Sequence, residues 1–206
     1  MPVFEEIEKE YIEIDPLDKN KLFPFYENNK HYFDSELPED KEELKKYLCI
    51  VSEIGATYSN DKQYKIALSL LNRVLKLYKI HYKELSIDLS KDDAYSSYNS
   101  AFSWKAHTLF NTGKYLRART LLREIVRLRP EDKDYQTLLA ICELKIKKRM
   151  VNFMGIIGLF IIILEYSIKG FYGHKPLWGN VMVIMGGALL MLYGLSAYWI
   201  NLKLKK

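Results

Sequence analysis

Two apolar runs constrain this chain before anything else. Residues 151–168 read VNFMGIIGLFIIILEYSI, and residues 177–202 read LWGNVMVIMGGALLMLYGLSAYWINL. As a helix the first run would be about 27 Å long, close to the roughly 30 Å hydrocarbon core of a bilayer. Glu165 is its only charged residue. A helix of a soluble bundle carries a polar stripe at helical spacing, and neither run has one. Trp178 stands near one end of the second run, and Tyr198 with Trp199 near the other, where interfacial aromatics belong. Two transmembrane helices are therefore expected.

Basic flanks set an orientation. Lys145, Lys147, Lys148 and Arg149 precede the first run, and Lys203, Lys205 and Lys206 follow the second. The connector, residues 169–176, carries only Lys169 and Lys175. The positive-inside bias then places both termini in the cytoplasm. The expectation is a multi-pass protein, of a bacterial inner membrane, with the lipid bilayer as one partner. Gly155 and Gly158 share one side of the first run, and Gly187 and Gly194 one side of the second. Small residues let helices approach closely in lipid. Packing within the hairpin and self-association through it both use such residues. Glu165 has Lys169 four residues later, which suggests a local ion pair.

Charge divides the remainder. Residues 1–43 hold 14 Asp and Glu against 5 Lys and Arg, whereas the whole chain has a net charge of +5. Residues 1–37 read as an acidic arm before a basic body, solvated or lying against it. The N-terminal residues have neither a basic nor an apolar secretory region, so the first domain is expected to stay cytosolic. Cys49 and Cys142 each sit in an apolar helical pattern. Two buried thiols are expected, not a disulfide framework.

The middle of the chain repeats. NTGKYLRARTLLREIVRLRP, residues 111–130, aligns with NDKQYKIALSLLNRVLKLYK, residues 60–79. Tyr115 falls on Tyr64, Ala118 on Ala67, Leu122 on Leu71 and Val126 on Leu75, each pair 51 residues apart. Upstream, Phe102 falls on Val51, Ala106 on Gly55 and Leu109 on Tyr58. Each copy reads as two antiparallel helices. Gly113 ends one helix because glycine takes left-handed dihedrals without a Cβ clash. Ala118 is small because a neighbouring helix passes close by. Pro130 ends the second copy. A further helix from about Asp132 has no Gly or Pro before Gly155, so it is expected to continue into the first apolar run.

This ordered pattern resembles the tetratricopeptide (TPR) repeat family. Val51, Ile54, Gly55, Tyr58, Ala67 and Leu71 carry it in the first copy, and Phe102, Ala106, Leu109, Ala118, Leu122 and Pro130 in the second. Lys105 departs where an apolar residue is usual, and Lys79 stands in place of the first copy's proline. The spacing of 51 against the family's usual 34 implies an insert near residues 83–99. The fold expected is all-α: a TPR-like domain over residues 38–149, then a transmembrane hairpin over 150–206.

The resemblance implies a concave face that binds a peptide or helix of another protein. Its lining here would be Ser52, Ala56 and Ser59, then Ser103, His107, Phe110 and Asn111. Family members that bind acidic chaperone tails place Lys and Asn where Ser52 and Ala56 stand, so that ligand is not expected. Ser100, Ser103, His107 and Asn111 also share one side of a helix by spacing alone.

No phosphate-cradling loop, nucleophile elbow, paired-carboxylate site or metal-ligand spacing is visible. Enzymatic activity, a cofactor and a metal are not expected. Arg119, Arg123 and Arg127 form one stripe without interleaved aromatics, which argues against nucleic acid and leaves anionic lipid or a plain solvated face. The function expected is a membrane-anchored adaptor or scaffold. The rival is a structural subunit of a membrane complex assembled through its hairpin.

Overall fold

The computed structural model describes residues 4–16, 18–35, 37–81, 93–172 and 179–204. Among them the fold is all-helical: α1 (Phe4–Ile12), α2 (Lys19–Asn28), α3 (Lys30–Ser35), α4 (Lys41–Asn60), α5 (Tyr64–His81), α6 (Asp93–Asn111), α7 (Tyr115–Leu128), α8 (Lys133–Tyr172) and α9 (Gly179–Leu204). The chain forms two compact bodies, Met1–Arg129 and Pro130–Lys206.

In the first body α4 packs on α5 and α6, α5 on α6, and α6 on α7. α4 starts at Lys41 because Asp40 caps it, accepting from the amides of Glu42 (2.8 Å) and Glu43 (3.0 Å). Those two bonds hold the Asp40 carboxyl below its usual range. The α4–α5 and α6–α7 turns are built alike. Gln63 N donates to Tyr58 O and Lys114 N to Leu109 O, each at 2.9 Å. Lys62 N donates to Ser59 O and Gly113 N to Phe110 O one step inside. Lys62 and Gly113, at φ 64° and 71°, take the left-handed conformation that this Schellman closure needs.

The buried positions repeat with the turns. Val51, Ile54, Tyr58, Ala67, Leu71 and Val74 are buried in α4 and α5, and Phe102, Leu109, Ala118, Leu122 and Ile125 at the equivalent places in α6 and α7. A Cβ on Gly55 would lie 3.0 Å from Leu71 Cδ2, so α4 and α5 meet where a larger residue would push. α7 stops at Leu128, ahead of Pro130, while α5, with Lys79 in place of proline, runs on to His81. Residues 83–92, most of the expected insert, lie outside the described residues. Cys142 is buried, whereas Cys49, beside Ser97, is only partly so.

α1–α3 fold onto α4 and α5 as part of the same core. Phe4, Ile7, Leu22, Phe25, Tyr26 and Phe33 are buried there. Phe23 stacks on Tyr58 with ring centroids 4.2 Å apart, and the Tyr47 hydroxyl donates to Phe33 O at 2.8 Å. Burying one such side chain contributes about 1.5–3 kcal/mol. The ion pairs Glu8–Lys46 and Lys19–Asp61 are open to solvent, which screens them, so they contribute little. Aromatic burial, more than charge, therefore holds the acidic segment down.

In the second body α8 runs unbroken through residue 149 and packs antiparallel on α9. Both are long and apolar enough to cross a membrane, over Lys133–Ile168 and Val181–Ile200. Their outer apolar side chains are open: Phe160 is 64 % and Met191 75 % exposed. The seam is closed by glycine. A Cβ on Gly158 would lie 3.0 Å from Gly186 O, and one on Gly155 2.8 Å from Tyr193. Gly187 and Gly194 have nothing within 4 Å. Glu165 is fully buried in this hairpin. The side chain of Lys169, residues 173–176 of the connector and Trp178 lie outside the described residues.

Candidate protein-binding face

α4 and α6 run side by side in the same direction, and the seam between them is narrow and polar. Ser59 Oγ lies 2.7 Å from Thr108 Oγ1. Thr108 gives its one hydroxyl proton to Trp104 O at 2.7 Å, so Ser59 is the donor of the pair. Ser52 Oγ donates to Ser97 O at 3.5 Å, and Cys49 Sγ touches Ser97 Oγ. Small hydroxyl side chains let the two helices approach while leaving their buried oxygens satisfied.

This seam accounts for two of the seven residues singled out from the sequence. Ser52 and Ser59 are 1 % and 4 % exposed, so their hydroxyls join α4 to α6 instead of facing a partner. Ala56 is half-buried between them in sequence. The α6 residues are graded along the helix: Ser103 and Phe110 are half-buried, and His107 and Asn111 are exposed. Ser100, one turn before Ser103, is half-buried as well. The spacing of Ser103, His107 and Asn111 brings them onto one side of α6, open toward its C-terminal end.

Two aromatic contacts hold this end. Phe110 packs edge-on to Tyr115 across the α6–α7 turn, with ring centroids 5.5 Å apart. Trp104 lies beside His107 at 6.1 Å, its ring tilted 51° to the imidazole. Trp104 was not among the residues expected from the sequence. Its signal was its place three residues before His107, hidden because it also packs partly on the core.

The face is a set of hydrogen-bonding groups beside two partly covered aromatics. It offers an exposed imidazole, an exposed carboxamide and a half-buried hydroxyl, with no carboxylate partner for the histidine on the same stripe. Such a surface accepts and donates hydrogen bonds to a polar peptide and offers ring area to an apolar side chain. Of the arginine stripe on α7, Arg119 is half-buried while Arg123 and Arg127 are exposed. No family model, no curated protein and no solved structure matches this chain.

Proposed function

We propose that the chain is a membrane-anchored TPR-type adaptor. On this reading α8 and α9 cross the bilayer with both termini in the cytoplasm, and the helix pairs α4–α5 and α6–α7 are two degenerate repeats that present a concave face to another protein. One observation carries the repeat: two turns 51 residues apart close with the same hydrogen bonds and the same left-handed residue. The helix pairs formed this way stack α4 on α6, the arrangement by which TPR first helices line a groove. Ala56, Ser103, His107, Phe110 and Asn111 are the lining left open once Ser52 and Ser59 have joined α4 to α6. Apolar side chains exposed along α8 and α9 support the anchor.

A second reading, a structural subunit assembled through its hairpin, draws on Gly187 and Gly194, whose surroundings are open. The two readings separate in one experiment. Full-length protein and a fragment of residues 1–149 are purified with bound proteins, and those recovered are identified by mass spectrometry. A partner held by both supports the adaptor; a partner held only with the hairpin present supports the subunit. Reporter fusions in the connector and after residue 206 test the topology, and a cytoplasmic connector overturns it.

A further inference from the structure

α5 and α7 both pack on α6, and the space between them is a cleft of about 740 Å³. That is within the roughly 300–1,000 Å³ of small-molecule sites. Its lining carries four cations, Lys65, Lys105, Lys114 and Arg117, and no Asp or Glu. Leu68, Leu109 and Leu121 line its apolar part, and Ser69 and Asn72 add polar groups from α5. None of the four cations forms an ion pair with a described residue.

Lys105 is the informative member. Its counterpart 51 residues earlier, Ile54, is fully buried core. An isoleucine at 105 would serve the fold by the same logic; the chain instead carries a half-buried amine. Burial, and then the nearby Arg117 guanidinium, push that amine's pKa down. A half-buried amine beside an exposed guanidinium costs stability unless an anion joins them. Lys114 and Arg117 belong to the first turn of α7, whose positive end adds to the same field.

We propose that this cleft binds a phosphate-bearing anion, its phosphate held by Lys65, Lys105, Lys114 and Arg117 and its apolar portion laid on Leu68, Leu109 and Leu121. Phosphate fits better than a single carboxylate. A phosphomonoester carries about −1.5 to −2 charge at neutral pH, and a guanidinium grips two of its oxygens at once. The leucines call for a ligand larger than the inorganic ion. A phosphomonoester lipid headgroup, as in phosphatidic acid, and a soluble phosphorylated small molecule share this chemistry. The site is independent of the adaptor reading, since it uses α5, α7 and the Lys105–Leu109 side of α6, and none of the stripe through Ser103, His107 and Asn111.

The test is isothermal titration of the full-length protein in an uncharged maltoside detergent. Two probes are used: inorganic pyrophosphate, and dihexanoylphosphatidic acid, a phosphomonoester lipid, below its micellar concentration. The variants are Lys105→Met with Arg117→Gln, the charge-conserving Lys105→Arg, and Arg127→Gln on the exposed stripe. Saturable binding of at least one probe is expected, weakened about tenfold or more in the double variant. It should be kept in Lys105→Arg and in Arg127→Gln. Tighter binding of pyrophosphate assigns a soluble ligand, and tighter binding of the lipid a headgroup. Replacing a half-buried cation with methionine leaves the fold at least as stable, which an unchanged or higher melting temperature without ligand would establish. Absence of saturable binding by either probe, equal binding by the double variant, or an equal loss in Arg127→Gln overturns the proposal.

Discussion

Lys62 and Gly113, 51 residues apart, hold the same left-handed backbone at the ends of α4 and α6. One is the residue that position suits best, and the other is a lysine whose Cβ crowds the carbonyl. The left-handed region costs a non-glycine residue roughly 1–2 kcal/mol. Lys62→Gly is therefore expected to raise the stability of the full-length protein by about 0.5–1 kcal/mol, after part of the relief is offset by the freer unfolded glycine. Gly113→Ala should lower it by about 1 kcal/mol. Thermal denaturation followed by circular dichroism measures both. Changes of the same sign would mean that the two turns are not equivalent.

This pair also marks how much of the fold the sequence carried in plain form. Gly113, Ala118 and Pro130 each encode a steric requirement in the residue type, so the second copy and its register were legible. Lys62 meets the same requirement with no sign of it in its side chain, and only the alignment with Gly113 points there. The helices α1–α3 were illegible as a unit. Their core residues are spread over three short helices, and Pro24 sits inside α2, so no single period builds up. Tertiary burial against α4 and α5 sets their structure more than local pattern does. At the candidate face, Ser52 and Ser59 look like surface residues in sequence. What makes them core is the close approach of α6, a distance that no spacing along α4 records. Lys105 was visible as a departure from the repeat, but its meaning depends on Arg117 and α5 being beside it.

Buried phenols make the first body sensitive to alkali. Tyr26, Tyr47 and Tyr58 are pushed up to about 12, in each case mainly by burial, and Tyr11 and Tyr78 further still. In the unfolded chain these groups titrate near 10. The folded state thus keeps protons that the unfolded state releases, so the contribution of these phenols is constant below about pH 10 and stability falls as pH rises towards 12. Each such group contributes a slope of about 1.4 kcal/mol per pH unit over that window. Lys105 acts with the opposite sign, its lowered pKa adding slightly to stability as pH approaches 10. Urea midpoints measured from pH 8 to 11.5 should be level and then drop. Tyr47→Phe should make the drop shallower, and a level profile through pH 11.5 would contradict the burial assigned to these rings.

The hairpin has a closed glycine side and an open one. Gly158 and Gly186 meet through backbone, with a Cβ on Gly158 only 3.0 Å from Gly186 O, so neither helix yields by rotating a side chain. Gly158→Leu should therefore force α8 and α9 apart, at the roughly 1–3 kcal/mol typical of overpacking or more. Gly187→Leu meets nothing within 4 Å and should leave the melting temperature in detergent unchanged. Light scattering on the same samples then reads the subunit alternative. A smaller assembly for Gly187→Leu and Gly194→Leu, at constant stability, would identify that side as a contact between copies.

The exposed end of α6 separates function from folding. His107 and Asn111 are exposed, and Ser103 is half-buried one turn before them. Substitution at such positions usually changes stability by no more than about 0.5 kcal/mol. The core side of the helix, through Phe102, Ala106 and Leu109, points elsewhere and is untouched. Ser103→Glu with His107→Glu places two negative charges, one helical turn apart, across the proposed groove. A partner that lays a polar or apolar segment along Trp104 and Phe110 then meets repulsion and a desolvation cost on the same stripe. Partner capture by the full-length protein should be lost while the melting temperature moves by no more than a degree or two. Lys76→Glu on the exposed side of α5 serves as a charge control and should keep the partner. If the double variant holds its partner as tightly as the wild type, and Gly187→Leu with Gly194→Leu releases it, the groove on α6 is not the docking site and the hairpin is.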